Sequence, residues 1–166
     1  MKRFLIATLL IFCLMGKGFA QHLSFACKPL DTYGFNMKLS FSFDGENTYL
    51  NASMESIDLL YAQEPYILIK TVDEQVIKLT GTVTGSTSES VGVPIGGMIF
   101  SETEHTYNAQ FPITEQQLAL LNEQGIAKIR VGTMPKVHDK KFGKRERFGQ
   151  KLYKVYLKTK AKYEAF

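Results

Sequence analysis

The sequence predicts a mainly β (α+β) protein: an antiparallel β-sandwich or partly open barrel with one short helix and a basic C-terminal helix. Three features support this class. They are an unbroken alternation of apolar and polar residues over 35–44, a helix-capping sequence at 114–117, and a Lys-rich amphipathic C-terminus. The 166 residues are 45% apolar and 22% charged. This composition is typical of globular proteins and excludes the disordered and collagen-like classes.

The first 20 residues have the form of a secretory signal peptide. A basic start, Met1-Lys2-Arg3, precedes an apolar run from Phe4 to Met15, and small residues at Gly18 and Ala20 complete the pattern. We therefore expect cleavage after Ala20 and a single exported domain over 21–166, periplasmic or extracellular. The apolar run is shorter than the roughly 20 residues that a spanning helix needs, so we expect no transmembrane span in the mature chain.

Cleavage would leave one thiol, Cys27, because Cys13 lies in the leader. No intramolecular disulfide is then possible. Leu23, Phe25 and Cys27 alternate with polar or small residues, which predicts a strand with Cys27 as a small buried side chain. The alternative, a lipid-modified cysteine, lacks the aliphatic residue expected three places upstream.

The clearest strand signal lies at 35–44, where every second residue is apolar: Phe35, Met37, Leu39, Phe41 and Phe43. One face of such a strand is buried and the other is wet, as in an antiparallel sheet over one core. The turn residues Asp44-Gly45-Glu46-Asn47 and the apolar residues of Tyr49 to Met54 predict a hairpin.

A second hairpin is predicted from Tyr66 to Val72 and from Gln75 to Val83, around Asp73-Glu74. A short strand is expected from Ile57 to Tyr61, with a turn near Glu64-Pro65.

The composition changes at 81–97, which contain five Gly, three Ser, three Thr and one Pro and have no sustained apolar period. We interpret this segment as largely a mobile loop. Strand-like alternation returns from Met98 to Phe111.

Thr114 and Gln117 form a capping box, and Gly125 is a typical stop, so a helix of about three turns is predicted between them. A strand follows from Ile126 to Val131. The C-terminal segment matches both periods, since apolar residues recur at every second place over 153–163 and at helical spacing over 148–166. Length favours a helix from about Arg145 to Lys162, because a strand this long would be about twice the usual length.

The segment 111–121, followed by Gly125-Ile126-Ala127-Lys128-Ile129-Arg130-Val131 and a Lys-rich tail, resembles small exported domains of Gram-negative bacteria that carry no assigned activity. The resemblance covers about a third of the chain. It implies no functional residue.

The charges separate along the mature chain. Residues 21–135 contain 6 basic and 13 acidic residues, a net charge of −7, and residues 136–166 contain 11 basic and 3 acidic residues, a net charge of +8. Basic clusters with aromatic neighbours are typical of surfaces that bind nucleic acid, anionic lipid or acidic glycans. An exported protein seldom meets nucleic acid, so we expect no nucleic-acid partner. The candidate binding residues are Lys144, Arg145, Arg147, Lys151 and Lys154, together with segment 81–97.

Two other interpretations remain open for the tail and for the long strands. The tail helix would dock its apolar side on the sheet and simply leave its lysines in solvent. The strands would suit a structural envelope subunit that pairs with a partner protein through an edge strand.

Catalytic and metal signals are weak. Glu102, Glu104 and His105 have metal-ligand chemistry but lack the usual zinc spacings. A triad using His138 and Asp139 has no supporting motif, and neither a nucleophile elbow nor a phosphate loop is present. We therefore expect no cofactor, no metal and no enzymatic activity: a non-catalytic binding or interaction module. The alternative is a small hydrolase that uses His105 or His138.

Overall fold

The structure, a computed structural model, describes residues 22–27, 35–57, 61–134 and 137–165. The predicted signal peptide and its cleavage site after Ala20 lie outside these residues. The described chain forms two antiparallel sheets and two α-helices, which confirms the mainly β class. The strands form two separate sheets rather than a closed barrel.

The first sheet has five strands in the order β1-β2-β3-β7-β6, and the second has four in the order β5-β4-β8-β9. The strands are β1 (Leu23–Cys27), β2 (Phe35–Asp44), β3 (Asn47–Ser56), β4 (Tyr61–Thr71), β5 (Val76–Thr80), β6 (Thr82–Ile95), β7 (Met98–Pro112), β8 (Ile126–Met134) and β9 (Val137–Lys141). The helices are α1 (Glu115–Gln124) and α2 (Phe148–Glu164), and a 3₁₀ turn at Lys144–Glu146 precedes α2.

Alternate residues of both sheets form one core. The buried positions of the first sheet are Met37, Leu39, Phe41, Leu50, Ala52, Met54, Tyr107, Ala109 and Phe111. Those of the second sheet are Ile67, Ile69, Ile77, Leu79, Ile126, Ile129 and Val131. The period of two predicted for 35–44 is confirmed, because its apolar positions from Met37 to Phe41 are buried while their polar neighbours are not.

The β2–β3 hairpin is confirmed, with a turn at Gly45-Glu46. Gly45 has φ 65°, a conformation that favours glycine. The Asp44 carboxylate accepts hydrogen bonds from the side-chain amide of Asn47 (3.0 Å) and the Tyr49 hydroxyl (2.9 Å), which fixes the turn.

The β1 strand is also confirmed, and Leu23 packs against the core. The side chain of Cys27 lies outside the described part, so its predicted burial stays a prediction.

The predicted turn near Glu64-Pro65 is wrong, because β4 continues through both residues. The ladder between β4 and β8 is irregular between Tyr61 and Tyr66, and a proline is tolerated at such a point because it has no N–H to donate. The predicted strand from Ile57 to Tyr61 falls partly on 58–60, outside the described residues; Ile57 itself is in a bend.

The β4–β5 hairpin is confirmed, but the predicted strand from Gln75 to Val83 is divided at Gly81. Here the chain passes from the second sheet to the first. The Gly81 amide donates to the Pro65 carbonyl (2.9 Å), and an added Cβ would overlap the Gln110 carbonyl and the Phe111 ring. Only glycine fits this corner without a shift of its neighbours.

The prediction of a mobile loop at 81–97 is wrong. Residues Thr82–Ile95 form β6, which pairs with β7 up to a two-residue turn at Gly96-Gly97. Both glycines have positive φ (58° and 84°), as tight hairpin turns require. Most described side chains of β6 are exposed, so this strand needs no apolar alternation and its Ser and Thr residues suit it.

The β6–β7 hairpin extends beyond the sheet. Because β3 pairs with β7 only from Pro112 back to His105, the seven pairs from Glu89 with Glu104 to Ile95 with Met98 have no third strand beside them among the described residues. We call the paired segments 89–95 and 98–104 the acidic ribbon. Its length is roughly 23 Å at 3.3 Å per residue.

Both predicted helices are confirmed, and the C-terminal segment is helix rather than strand. At the start of α1 the Gln117 amide donates to the Thr114 hydroxyl (3.2 Å), and the Thr114 amide donates to the Gln117 side chain (2.9 Å). The short strand β9 was not predicted. Among the described residues, neither helix has the length and apolar character needed to cross a membrane.

Candidate functional site

The predicted basic surface lies on α2, which packs one side against β2 and α1. Its buried residues are Phe148, Gly149, Leu152, Val155 and Tyr156. The Tyr156 ring meets Phe41 edge to face at 5.6 Å, and the Tyr163 ring stacks on Phe43 at 5.3 Å. Aromatic pairs of this kind add to the burial energy, so the helix is held at a defined rotation about its axis.

Gly149 permits a close approach between the two helices. A Cβ at this position would overlap the Leu121 carbonyl oxygen of α1.

Just before α2, Arg147 has φ 48° and ψ 43°, a left-handed conformation that is uncommon for a residue other than glycine. The helix begins with Phe148, whose ring stacks on Phe142 at 4.0 Å.

A polar link joins α2 to the start of α1. Glu115 forms an ion pair with Lys160 and accepts a hydrogen bond from the Tyr156 hydroxyl (2.6 Å). Lys160 and, second, Tyr156 lower the pKa of Glu115, while Glu115 raises the pKa of Lys160. Lys160 therefore serves the helix contact, and it does not belong to the free cationic surface.

The outward side of α2 carries a row of four cations: Arg147, Lys151, Lys154 and Lys158. We call this row the cationic stripe. At 100° per residue Lys151, Lys154 and Lys158 fall within roughly 60° of the helix circumference. Arg147, in its left-handed conformation, immediately precedes the helix. All four residues are exposed, and none forms an ion pair with a residue that the structure describes. The stripe is open to solvent along roughly 17 Å of helix.

The structure brings three of the five predicted binding residues, Arg147, Lys151 and Lys154, onto this stripe. Arg145 is exposed in the 3₁₀ turn just before it, next to Lys144, whose side chain lies outside the described part. Lys158 was missed, although its spacing of four from Lys154 places it on the same face.

Segment 81–97, predicted to share the binding surface, lies elsewhere. The Tyr163 hydroxyl of α2 accepts from the Gly45 amide (3.0 Å), so the end of α2 lies at the β2–β3 turn, beside Pro112 at the end of β7. The Gly96-Gly97 turn is at the other end of β7, roughly 45 Å along the strand. The two parts of the predicted surface are therefore separate.

His138 and Asp139, the pair considered for the alternative hydrolase, are neighbours on β9, so their side chains point to opposite faces of the sheet. His138 is 1% exposed, whereas the neighbouring Asp139 pairs with Arg130 (2.7 and 2.9 Å) and Lys128. The Arg130 hydrogen bond lowers the pKa of Asp139 to about 2, because it stabilises the carboxylate. Asp139 thus holds β9 against β8.

His105 does meet a hydroxyl that no sequence pattern indicated. Its Nδ1 lies 2.7 Å from Ser88 Oγ across the β6–β7 ladder. Only knowledge of the strand register reveals this pair. Ser88 is exposed, and the pair lies in none of the three cavities described next.

Three shallow cavities are lined by described residues. The largest, about 550 Å³, lies between the β2–β3 turn, the end of β5 and the start of α1. The others have volumes of about 340 Å³, over β2, β3, β6 and β7, and about 160 Å³, over β4, β5 and β8. None contains a residue of the cationic stripe, which lies on the exposed outward side of α2.

The predicted metal-type residues are divided between two faces. Glu102 and Glu104 share one face of β7, and His105 lies on the other because strand residues alternate. Among the described residues, no group of three or more His, Cys, Asp or Glu side chains is placed to hold a metal ion.

Comparisons with protein-family models, with curated proteins and with solved structures find no match to this chain.

Proposed function

We propose that this protein is a non-catalytic binding module that acts outside the cytoplasm, and that the cationic stripe of α2 binds anionic groups presented by a glycan or a lipid surface. The observation that carries the proposal is the row of four exposed cations along a firmly docked helix and the residue before it, none of them ion-paired with a residue that the structure describes. Carboxylate, sulfate or phosphate groups are the chemistry that such a row attracts.

The stripe repels itself in the absence of a ligand. Lys151 with Lys154, and Lys154 with Lys158, are like charges at spacings of three and four, which destabilises a helix by a few tenths of a kcal/mol per pair. An anion bound along the stripe removes this repulsion. The shape agrees with the charge, because an exposed helix face suits an extended surface better than a small molecule, which would favour a cavity.

The rest of the chain orients such a ligand. Residues 21–135 have a net charge of −7, so an anionic surface is repelled by the body and attracted to the C-terminal helix. Lysine also suits the proposal, because its ammonium is a compact charge on a flexible stem that adapts to many anions.

The test is binding of the mature chain to heparin and to vesicles of phosphatidylglycerol with phosphatidylcholine. Each lysine near an anionic surface contributes about 1 kcal/mol, so Lys151→Gln with Lys154→Gln should weaken binding by about 2 kcal/mol, or roughly 30-fold. Both side chains are exposed and unpaired with described residues, so the fold should be unaffected.

The matched control is Lys70→Gln with Lys78→Gln, which removes the same charge from β4 and β5. The control should bind within about threefold of the wild type, as expected for about 0.6 kcal/mol of long-range attraction. Equal losses in the two variants, or binding that does not respond to salt, would refute the proposal. Binding to heparin alone would identify a glycan as the ligand, and binding to vesicles alone would identify a lipid surface.

A further inference from the structure

Two oppositely charged surfaces lie at opposite ends of this protein. The cationic stripe belongs to α2, near the end of β7. The acidic ribbon extends from the start of β7 and carries three exposed carboxylates, Glu89, Glu102 and Glu104. Between Lys78 and Lys128 the sequence contains no lysine or arginine, so the ribbon has no lysine or arginine of its own.

Each surface is destabilised by its own charges. Glu89 lies directly opposite Glu104 in the β6–β7 ladder, and like charges in this position weaken a strand pair. The stripe has the equivalent repulsion at its i, i+3 and i, i+4 pairs. A two-stranded ribbon without a third strand is in any case marginally stable. Contact between the two surfaces would relieve both repulsions.

The tip of the ribbon is apolar as well as exposed. Met98 and Ile99 are 64% and 80% exposed, the highest values among the large apolar side chains that the structure describes. Segment 91–101 contains no charged residue. Exposed apolar groups at the end of a projecting element are typical of a contact site.

The apolar and charged positions of the ribbon match those of α2 in spacing. Along β7, Met98 is roughly 14 Å from Glu102 and roughly 20 Å from Glu104, all on one face. Along α2, Ala161 is roughly 15 Å from Lys151 and roughly 21 Å from Arg147. Beside the exposed Ala161 lies Leu157, whose side chain is 46% exposed, so the helix offers an apolar place at the corresponding end.

We infer that the acidic ribbon of one copy docks along the cationic stripe of a second copy of this chain, with Met98 against Leu157 and Ala161. The carboxylates Glu102 and Glu104 then lie beside Lys151 and Arg147. The ribbon of the same copy is unable to make this contact, because it projects from the opposite end of the molecule. The inference names one partner for the proposed binding surface, and it rests on the proposed function only in that α2 accepts anionic groups.

Such a contact is head to tail, since the two surfaces differ. A pair of copies keeps one free ribbon and one free stripe, so the assembly grows with concentration unless a rotation closes it into a ring. Salt should weaken it, because the charges are exposed before contact.

The experiment measures the mass of the mature chain by sedimentation velocity at rising concentration, in low and in high salt. Two variants reverse one surface each: Glu102→Lys with Glu104→Lys on the ribbon, and Arg147→Glu with Lys151→Glu on the helix. Either variant alone should associate about 100-fold or more weakly than the wild type, because like charges then face each other. An equimolar mixture of the two should regain association, since every ribbon then meets a helix of opposite charge.

Circular dichroism of each variant shows whether it folds, and recovery in the mixture itself requires folded chains. Met98→Ser should weaken association without changing the charge. Wild-type chains that stay monomeric at every concentration in low salt, or a mixture that associates no better than its components, would overturn the inference. Binding of the ribbon tip to neutral vesicles without any association of copies would assign the tip to a membrane instead.

The same variants separate this inference from the proposed function. The ribbon variant should still bind heparin and anionic vesicles, whereas the helix variant should not. Association of copies without binding to either probe would reject the proposed ligand and keep the contact between copies. Binding to a probe by a strictly monomeric chain would do the reverse.

Discussion

Gly149 decides how closely the two helices approach each other. Because an added Cβ would overlap the Leu121 carbonyl oxygen, which is backbone and has little freedom to move, Gly149→Ala should force α2 away from α1. We expect a loss of about 2 kcal/mol in the free energy of unfolding, within the range for overpacked sites. Urea denaturation measures this loss.

Gly85→Ala is the control for this substitution, since nothing lies within 4 Å of a Cβ built at Gly85. The control should change stability by less than about 1 kcal/mol. Equal effects at the two positions would mean that the close contact between the helices does not limit residue 149.

Asp139 gives the fold a dependence on acid. Its pKa is lowered from 3.8 to about 2 by Arg130 first and by Lys128, so the folded state binds its proton less readily than the unfolded state. The stabilisation is complete above about pH 4 and is lost as the pH falls towards 2. After allowance for solvent screening, it is on the order of 1–2 kcal/mol.

Asp139→Asn should therefore be less stable than the wild type at pH 6, and the difference should shrink between pH 4 and pH 2 as measured by urea denaturation. Glu123→Gln is the reference, because Glu123 is exposed and forms no ion pair with the described residues. A constant difference between Asp139→Asn and the wild type across this pH range would contradict the assignment.

The strand β6 lies beside a wider sheet at its start than at its end. Its first half lies beside the part of β7 that β3 also holds, whereas the part from Glu89 to Ile95 has β7 alone. Isolated two-stranded ribbons open easily. Amide hydrogen exchange should therefore be slow in the part of β7 between Tyr107 and Phe111, and at least tenfold faster between Met98 and Thr103. Uniform protection along β7 in dilute solution would contradict this gradient.

The same elements explain what the sequence could reveal. β2 and α1 were predictable because local rules decide them: one face of β2 is buried, and Thr114 with Gln117 satisfies the free amides of the first helical turn. β6 was not predictable, because a strand that is wet on most of its surface needs no alternation and its partner supplies the hydrogen bonds. Glycine at 96 and 97 was the one local signal of a hairpin turn.

The candidate site shows the same division. Lys151, Lys154 and Arg147 were identified from charge density alone, and the helical period adds Lys158. The pairing of Ser88 with His105, and of Glu89 with Glu104, depends on cross-strand register, which no local pattern fixes when both faces of a strand are polar.

For the whole molecule, charge and shape act together. An acidic body with its longest strands at one end and a basic helix at the other has a large dipole, so it should orient in the field of any charged surface before contact. Such orientation speeds association more than it strengthens it, and salt suppresses it.

The single residue at the corner between the sheets has a mechanical consequence. Gly81 joins β5 to β6 without slack, and its amide is fastened to Pro65 of β4. Force applied to the β6–β7 hairpin would therefore pass through β6 and Gly81 to β5 and β4, so that both sheets would bear it. Tension applied to the acidic ribbon would therefore be opposed by the packing of both sheets.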